Sequence, residues 1–208
     1  MHIPDGILTS TASNVGMIII GTGWVVAGTG ITVALRKLDE HRIPMVAMLS
    51  SAFFIVTLVQ IPTFFGPVHL LLCGLLGVML GWLIFPAVFV ALLLEYFFFS
   101  CGGLTTLGIN TATMALPGLV CHLLFRRGIC SPNRTITIVS AAMAAFFGVL
   151  MAIMLYVACF LVTDKNIGKL ALATAGVHVP VLVVETIITP MIVLAIKKIR
   201  PDLFSIAR

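Results

Sequence analysis

The sequence predicts an all-α integral membrane protein, a bundle of about seven transmembrane helices with its N-terminus outside and its C-terminus in the cytoplasm. Three observations carry that prediction. Of 208 residues, 61% are hydrophobic and only 9% are charged, where a soluble domain carries roughly 25% charged residues. Apolar runs long enough to cross the hydrocarbon core as helices, about 20 residues each, recur along the whole chain, and its mean hydropathy is +1.22. No segment shows the alternating pattern of an outer-membrane strand. Finally, the basic residues gather at alternate ends of the apolar runs, as topology markers do.

The chain reads as one transmembrane domain over residues 1–208, with an N-terminal segment 1–9 and a tail 197–208 expected in the cytoplasm. Residues 1–35 contain no Lys or Arg, so the basic start of a cleavable signal is lacking and Met1 is expected to be retained. After a turn at Pro4-Asp5-Gly6, a first span runs from about Asn14 to Leu35 and ends in the charged cluster from Arg36 to Arg42. Its small residues Gly23, Ala27, Gly30 and Ala34 suit close helix packing. A second span runs from Pro44 to Ile61 and stops before Pro62. Residues 68–100 exceed one span, and Gly81 and Pro86 divide them. The expected products are a short, glycine-rich third span, His69 to Gly81, buried in the bundle, and a fourth, Pro86 to Phe99.

Residues 100–111 interrupt the hydrophobicity and are expected to be irregular backbone shielded by protein, since bare peptide groups are not tolerated in lipid. A fifth span, Ala112 to Phe125, ends at Arg126-Arg127. A sixth runs from Ile136 to Val162, and an outer loop from Asp164 to Lys169 leads to a seventh, Leu170 to Ile196. This arrangement puts ten of the 12 Lys and Arg residues inside and leaves only Lys165 and Lys169 outside, in accord with the positive-inside rule.

The net charge of +5 is therefore accounted for by topology, and no nucleic-acid signature accompanies it. The five cysteines form no CxxC pair, which argues against a zinc site or a disulfide framework. No P-loop, HExxH or Ser/His/Asp constellation occurs, so the chain offers neither an ATPase site nor a hydrolase.

One stretch does carry chemistry. A free Met1 α-amine, the His2 backbone nitrogen and a ring nitrogen of His2 can close two fused chelate rings on one ion, in one plane. Such a set favours Ni(II) or Cu(II) over tetrahedral zinc or oxygen-seeking magnesium. His69, two spans later, returns to the same face and is the best candidate for the fourth corner. His41 and His122 read as interfacial. His178, in the outer half of the seventh span, suits either hydrogen bonding in the bundle or a transient ligand role. Glu95 and Glu185 fall inside spans, where an ionised group is costly. They suit hydrogen-bonded interior positions or, with His178, the proton relay of a secondary transporter or channel for a small solute.

MHIPDG at residues 1–6, His69 at the head of a Gly-rich short helix and GGLTTLGINT at 102–111 together resemble the CbiM/NikM family. These are substrate-capturing membrane subunits of energy-coupling-factor (ECF) cobalt and nickel transporters, and the likeness covers nearly the whole chain. The resemblance implies a multi-pass protein of a bacterial or archaeal plasma membrane that is not itself an enzyme. It implies that Co(II) or Ni(II) is bound as substrate by Met1, His2 and His69, with no permanent cofactor. The implied partners are a transmembrane coupling (T) subunit, cytoplasmic ATPases and a small accessory membrane subunit, and the small-residue face of the first span suits either packing within the bundle or docking of the coupling subunit. Many members carry His where this chain has Cys101. Thr105 and Asn110 are expected as hydrogen-bonding supports for a histidine ligand, with Cys101 and His178 beside them. Cobalt and nickel are not separated by these residues.

Overall fold

A computed structural model describes residues 2–9, 14–59, 68–163 and 165–205. The helices are α1 (Val15–Arg36), α2 (Ile43–Leu58), α3 (Cys73–Leu80), α4 (Ile84–Phe99), α5 (Leu107–Ile129), α6 (Arg134–Thr163), α7 (Lys165–Val177), α8 (Val179–Ile199) and the short α9 (Asp202–Ser205). Among the described residues, six helical stretches are long and apolar enough to cross a membrane, and Cys73–Phe99 is counted as one of them.

That stretch is a hairpin. His69, just before it, stacks on His2, and Glu95, near its end, also reaches His2, so the chain between them must leave and return. The far point is marked by Val78, whose carbonyl accepts Arg126 Nη1 of α5, and by Trp82, which lies 5.1 Å beneath Lys37 Nζ. The short α3 and α4 therefore run in opposite directions between a histidine end and a basic end, while the candidate spans among the described residues number six rather than the expected seven. Gly81 makes the reversal with φ +58° and ψ −125°, a conformation that L side chains avoid. Pro86 falls in the first turn of α4, where no intrahelical hydrogen bond is lost.

All eight residues of α3 are buried, as expected of a glycine-rich central segment. A Cβ on Gly74 would overlap the Ala144 backbone of α6, and one on Gly77 the Gly118 backbone of α5. Backbone-to-backbone packing of this kind replaces a hydrophobic driving force in lipid. His122, expected at the interface, instead lies against the end of α3, its Nδ1 3.2 Å from the Gly77 carbonyl. With Arg126 it contacts carbonyls in the last turn of α3, where Gly77 also accepts the Gly81 N–H.

Four expectations need correction. The small-residue face of α1 is not open for a coupling subunit: Gly23 packs on Ile109, Gly30 on the Phe85 ring, and Ala27 and Ala34 are fully buried. The close approach that small residues allow is used within the bundle. Only residues 100–106 of the expected irregular link lack regular helix, because α5 already starts at Leu107 and Asn110 N–H bonds the Thr106 carbonyl. Helix α2 ends at Leu58 rather than Ile61, and residues 60–67 lie outside those described. The seventh span breaks at His178 into α7 and α8, because Pro180 sits in the first turn of α8 and has no N–H to continue the ladder. The expected loop at 164–169 is accordingly already helical from Lys165.

Candidate functional site

The site forms where irregular backbone from two places meets at the histidine end. The N-terminal arm, residues 2–9, contains no helix beyond a turn at 5–9, yet it is firmly placed. Ile3 and Leu8 are fully buried. Asn110 closes a reciprocal pair on Ile3: Ile3 N–H donates to Asn110 Oδ1 at 2.8 Å, and Asn110 Nδ2 donates to the Ile3 carbonyl at 3.0 Å. Thr106 Oγ1 donates to the same carbonyl at 2.6 Å. Every polar backbone group of Ile3 is thus satisfied without a helix, which its depth requires.

Asp5 ties the next turn to the 100–106 link. Its carboxylate accepts the N–H groups of Leu104 at 2.9 Å, Thr105 at 3.0 Å and Thr106 at 3.3 Å, and the Thr105 hydroxyl at 2.5 Å. Burial pushes this carboxyl up, but the Thr105 hydroxyl and the Leu104, Thr106 and Thr105 amides outweigh it and hold it below its ordinary value. Gly103 permits the contact, since a Cβ there would overlap the Asp5 carboxylate.

His69 comes from the second irregular stretch, 69–72, which ends with Leu72 at φ +47°. Glu185 of α8 holds this turn. Its carboxylate accepts the Leu71 N–H and, through both oxygens at 3.0 Å, the Leu72 N–H. The His69 Nδ1 lies 2.9 Å from the Leu70 carbonyl, which marks Nδ1 as the protonated nitrogen.

The two arms bring their imidazoles together. The rings of His2 and His69 stack at 4.9 Å between centroids and 20° between planes. His2 Nε2 lies 3.1 Å from Glu95 Oε2, and the His2 side chain is only 13% exposed. Burial first, then the N-terminal charge and the neighbouring imidazoles, hold His2 well below its ordinary value, and burial above all brings His69 down to about 3. Both rings are therefore neutral at pH 7, the form a metal requires. Beside them, His2, Thr57, Leu58, Glu95, Phe99 and Cys101 line a cavity of about 180 Å³. Burial, reinforced by Glu95, pushes the Cys101 thiol up, so it faces the cavity protonated rather than as a thiolate.

Of the residues singled out in sequence, His2, His69 and Cys101 converge. Met1 lies outside the described residues. His178 is near enough for its charge to act on both His2 and His69. Its Nδ1 is 2.8 Å from the Thr174 carbonyl, and its buried Nε2 has no hydrogen-bond partner among the described residues. Among the described residues, hydrogen bonds of Thr105 and Asn110 reach Asp5 and Ile3, the chain neighbours of His2. Thr106 and Asp5 are site residues that sequence reasoning passed over, and Glu95, singled out there as an interior carboxylate or relay member, lies against His2. The N-terminal turn and the GLTTLG run are too far apart in sequence to show their pairing. No hydrogen bond joins Glu95, Glu185 and His178 among the described residues, and each carboxylate is engaged elsewhere. Nor do three or more His, Cys, Asp or Glu side chains form a metal cluster among the described residues, so side chains alone do not complete a site.

Comparison with known proteins converges on metal transport. A family model described as the cobalt uptake substrate-specific transmembrane region, CbiM, matches residues 2–203. A proposed metal transport protein of Haemophilus influenzae is 32% identical over 211 residues, covering 99% of this chain and 97% of that relative. The fused nickel transport protein NikMN of Rhodobacter capsulatus is 31% identical over 165 residues, covering 74% of this chain but 45% of that protein. Among solved structures, a crystal structure of a transition metal transporter superposes with a TM-score of 0.71 at 20% identity, covering 96% of this chain and 93% of that one. That likeness supports the fold.

Proposed function

We propose a function from the premise that this chain belongs to the CbiM family of cobalt uptake substrate-specific transmembrane regions. The chain is a multi-pass membrane component of cobalt and nickel transport, and its role is to capture Co(II) or Ni(II) as substrate at the outer face. The Met1 amine, the His2 amide nitrogen and a His2 ring nitrogen supply three corners of a square, and His69 supplies the fourth. The observation that carries this reading is the stacking of two buried, neutral imidazoles at 4.9 Å, one of them on an arm whose Ile3 backbone is pinned by Asn110 and Thr106. Side chains alone fall short of a full ligand set, and backbone and amine nitrogens make up the difference. A planar nitrogen field suits Ni(II) and low-spin Co(II).

On this reading the histidine end faces out and the basic end faces the cytoplasm, as the positive-inside rule requires. The chain delivers its ion with the help of a coupling subunit and ATPases. Fusion of the nickel relative to further sequence supports association with other subunits. The apolar groove lined by Leu38, Ile43, Val46, Ala47, Pro86 and Val90 remains open where the α1 face is not.

The test is calorimetric titration of the purified, metal-free chain with Ni(II), before and after acetylation of the N-terminal amine. Acetylation and His69→Ala should each weaken binding by two or more orders of magnitude, since each removes an inner-sphere ligand, a larger loss than the roughly 10–100-fold of an outer-shell partner. Unchanged affinity after acetylation would exclude the chelate.

A further inference from the structure

Glu95 is a buried side chain, 3% exposed, that the capture chemistry above does not use, although it touches a proposed ligand. Its two oxygens have different partners. Oε1 is engaged by the Thr57 hydroxyl, and Oε2 lies 3.1 Å from His2 Nε2. The Thr57 hydroxyl also lies 2.7 Å from the Phe54 carbonyl, and it has a single hydrogen to donate. If that hydrogen goes to Glu95 and the carboxylate is ionised, Oε2 accepts from His2. If it goes to Phe54, a proton on Oε1 donates to Thr57, and Oε2 still accepts from His2. In both arrangements the hydrogen between Glu95 and His2 belongs to His2 Nε2, whereas a proton on Oε2 would be donated to a bare Nε2, and the two cases differ in the tautomer of His2.

This matters because the two imidazole nitrogens are not equivalent for a residue at position two. A chelate ring from the His2 amide nitrogen through Cα, Cβ and Cγ closes with six members at Nδ1. Nε2 is on the far side of the ring and cannot close it. An imidazole protonated on Nδ1 would therefore present the wrong nitrogen to the ion.

We propose that Glu95 is a positioning residue for metal capture: by accepting the Nε2–H of His2 it fixes the tautomer and the ring orientation that turn the bare Nδ1 toward the ion. The proposal rests on the N-terminal chelate and adds the outer partner that selects its third corner. Carboxylates and amide oxygens that accept the second N–H of a metal-bound histidine act in this way generally. It follows that an acceptor at position 95 is needed and a charge is not. Glutamine can turn its oxygen to His2 and its NH2 to Thr57, and methionine can do neither.

The experiment uses the full-length, metal-free protein in detergent, with histidine labelled by ¹⁵N, and the variants Glu95→Gln and Glu95→Met. Imidazole nitrogen shifts report the tautomer, with the His2 signals identified by their loss in His2→Gln. Titration with Ni(II) reports affinity. The parent and Glu95→Gln should both show His2 protonated on Nε2, and Glu95→Gln should keep most of the affinity. Glu95→Met should show mixed His2 tautomers and bind Ni(II) about 10–100-fold more weakly, a change in ring nitrogens that mere loss of packing does not produce. A parent His2 protonated on Nδ1, or a Glu95→Met protein with unchanged tautomer and affinity, would overturn the proposal. If Glu95→Met does not elute as a folded monodisperse species, Glu95→Gln decides: loss of its Nε2–H tautomer or of its Ni(II) binding overturns the proposal, and retention of both supports it. N-terminal acetylation separates this outcome from the parent reading. Normal Ni(II) binding by acetylated protein overturns the chelate and with it the purpose of the tautomer, whereas a tautomer indifferent to Glu95 overturns only the role of Glu95.

Discussion

The arm that carries His2 and the turn that carries His69 solve one problem in two settings. Each is irregular backbone in a helical membrane protein, and each is held by a carboxylate that accepts successive backbone N–H groups. Asp5 takes those of Leu104, Thr105 and Thr106 at an exposed rim. Glu185 takes those of Leu71 and Leu72 from a position only 1% exposed. The device is the same but the alternative differs: at the rim water can replace the carboxylate, and in the interior nothing can. The turn is therefore bound up with folding, and the arm with function.

The largest expected effect breaks the turn. Glu185→Ala leaves two buried amide groups without an acceptor, at about 1–3 kcal/mol each, so thermal unfolding in detergent should shift sharply downward and Ni(II) binding should vanish with it. An unfolding temperature like the parent's would mean that the turn is not what Glu185 holds.

An intermediate effect distinguishes the two by pH. Burial lowers His69 from an ordinary 6.5 to about 3, so between those values the unfolded chain binds the proton that the folded chain refuses. Stability from this group is complete above about pH 6.5 and is lost progressively as pH falls toward 3. Metal-free protein should therefore melt at a lower temperature at pH 5 than at pH 7, and His69→Gln should flatten that slope. Asp5 works in the other sense. Its lowered carboxyl contributes to docking above its ordinary value near 3.8 and loses that contribution only as pH falls through the lower folded value, so the arm should stay docked across the same window.

The smallest effect on stability should come from Asp5→Ala. Water replaces the lost acceptor, and the unfolding temperature should scarcely move. Ni(II) affinity should fall by roughly tenfold, as for other outer partners of metal ligands, because His2 loses its anchor. An Asp5→Ala protein that melts early but binds normally would reverse the contrast between arm and turn.

The composition and the rhythm of apolar runs made the membrane bundle legible, and Gly81 and Pro86 made legible the break between the short α3 and α4. His2 and His69 were legible as partners because counting crossings puts both at one end. Thr105 and Asn110 were legible as polar residues near the site but not in what they hold. Their partners are backbone groups of Ile3 and the side chain of Asp5, about a hundred residues away in sequence. Glu95 and Glu185 looked alike, as lone carboxylates in apolar spans.

The sequence by itself determined that the chain is a helical bundle of a membrane, because hydropathy and charge placement are local properties. Tertiary structure decided which carboxylate meets a histidine and which meets a backbone, and which small-residue face is already occupied. Those depend on contacts across the bundle, where direction and burial, not residue type, set what a polar group does.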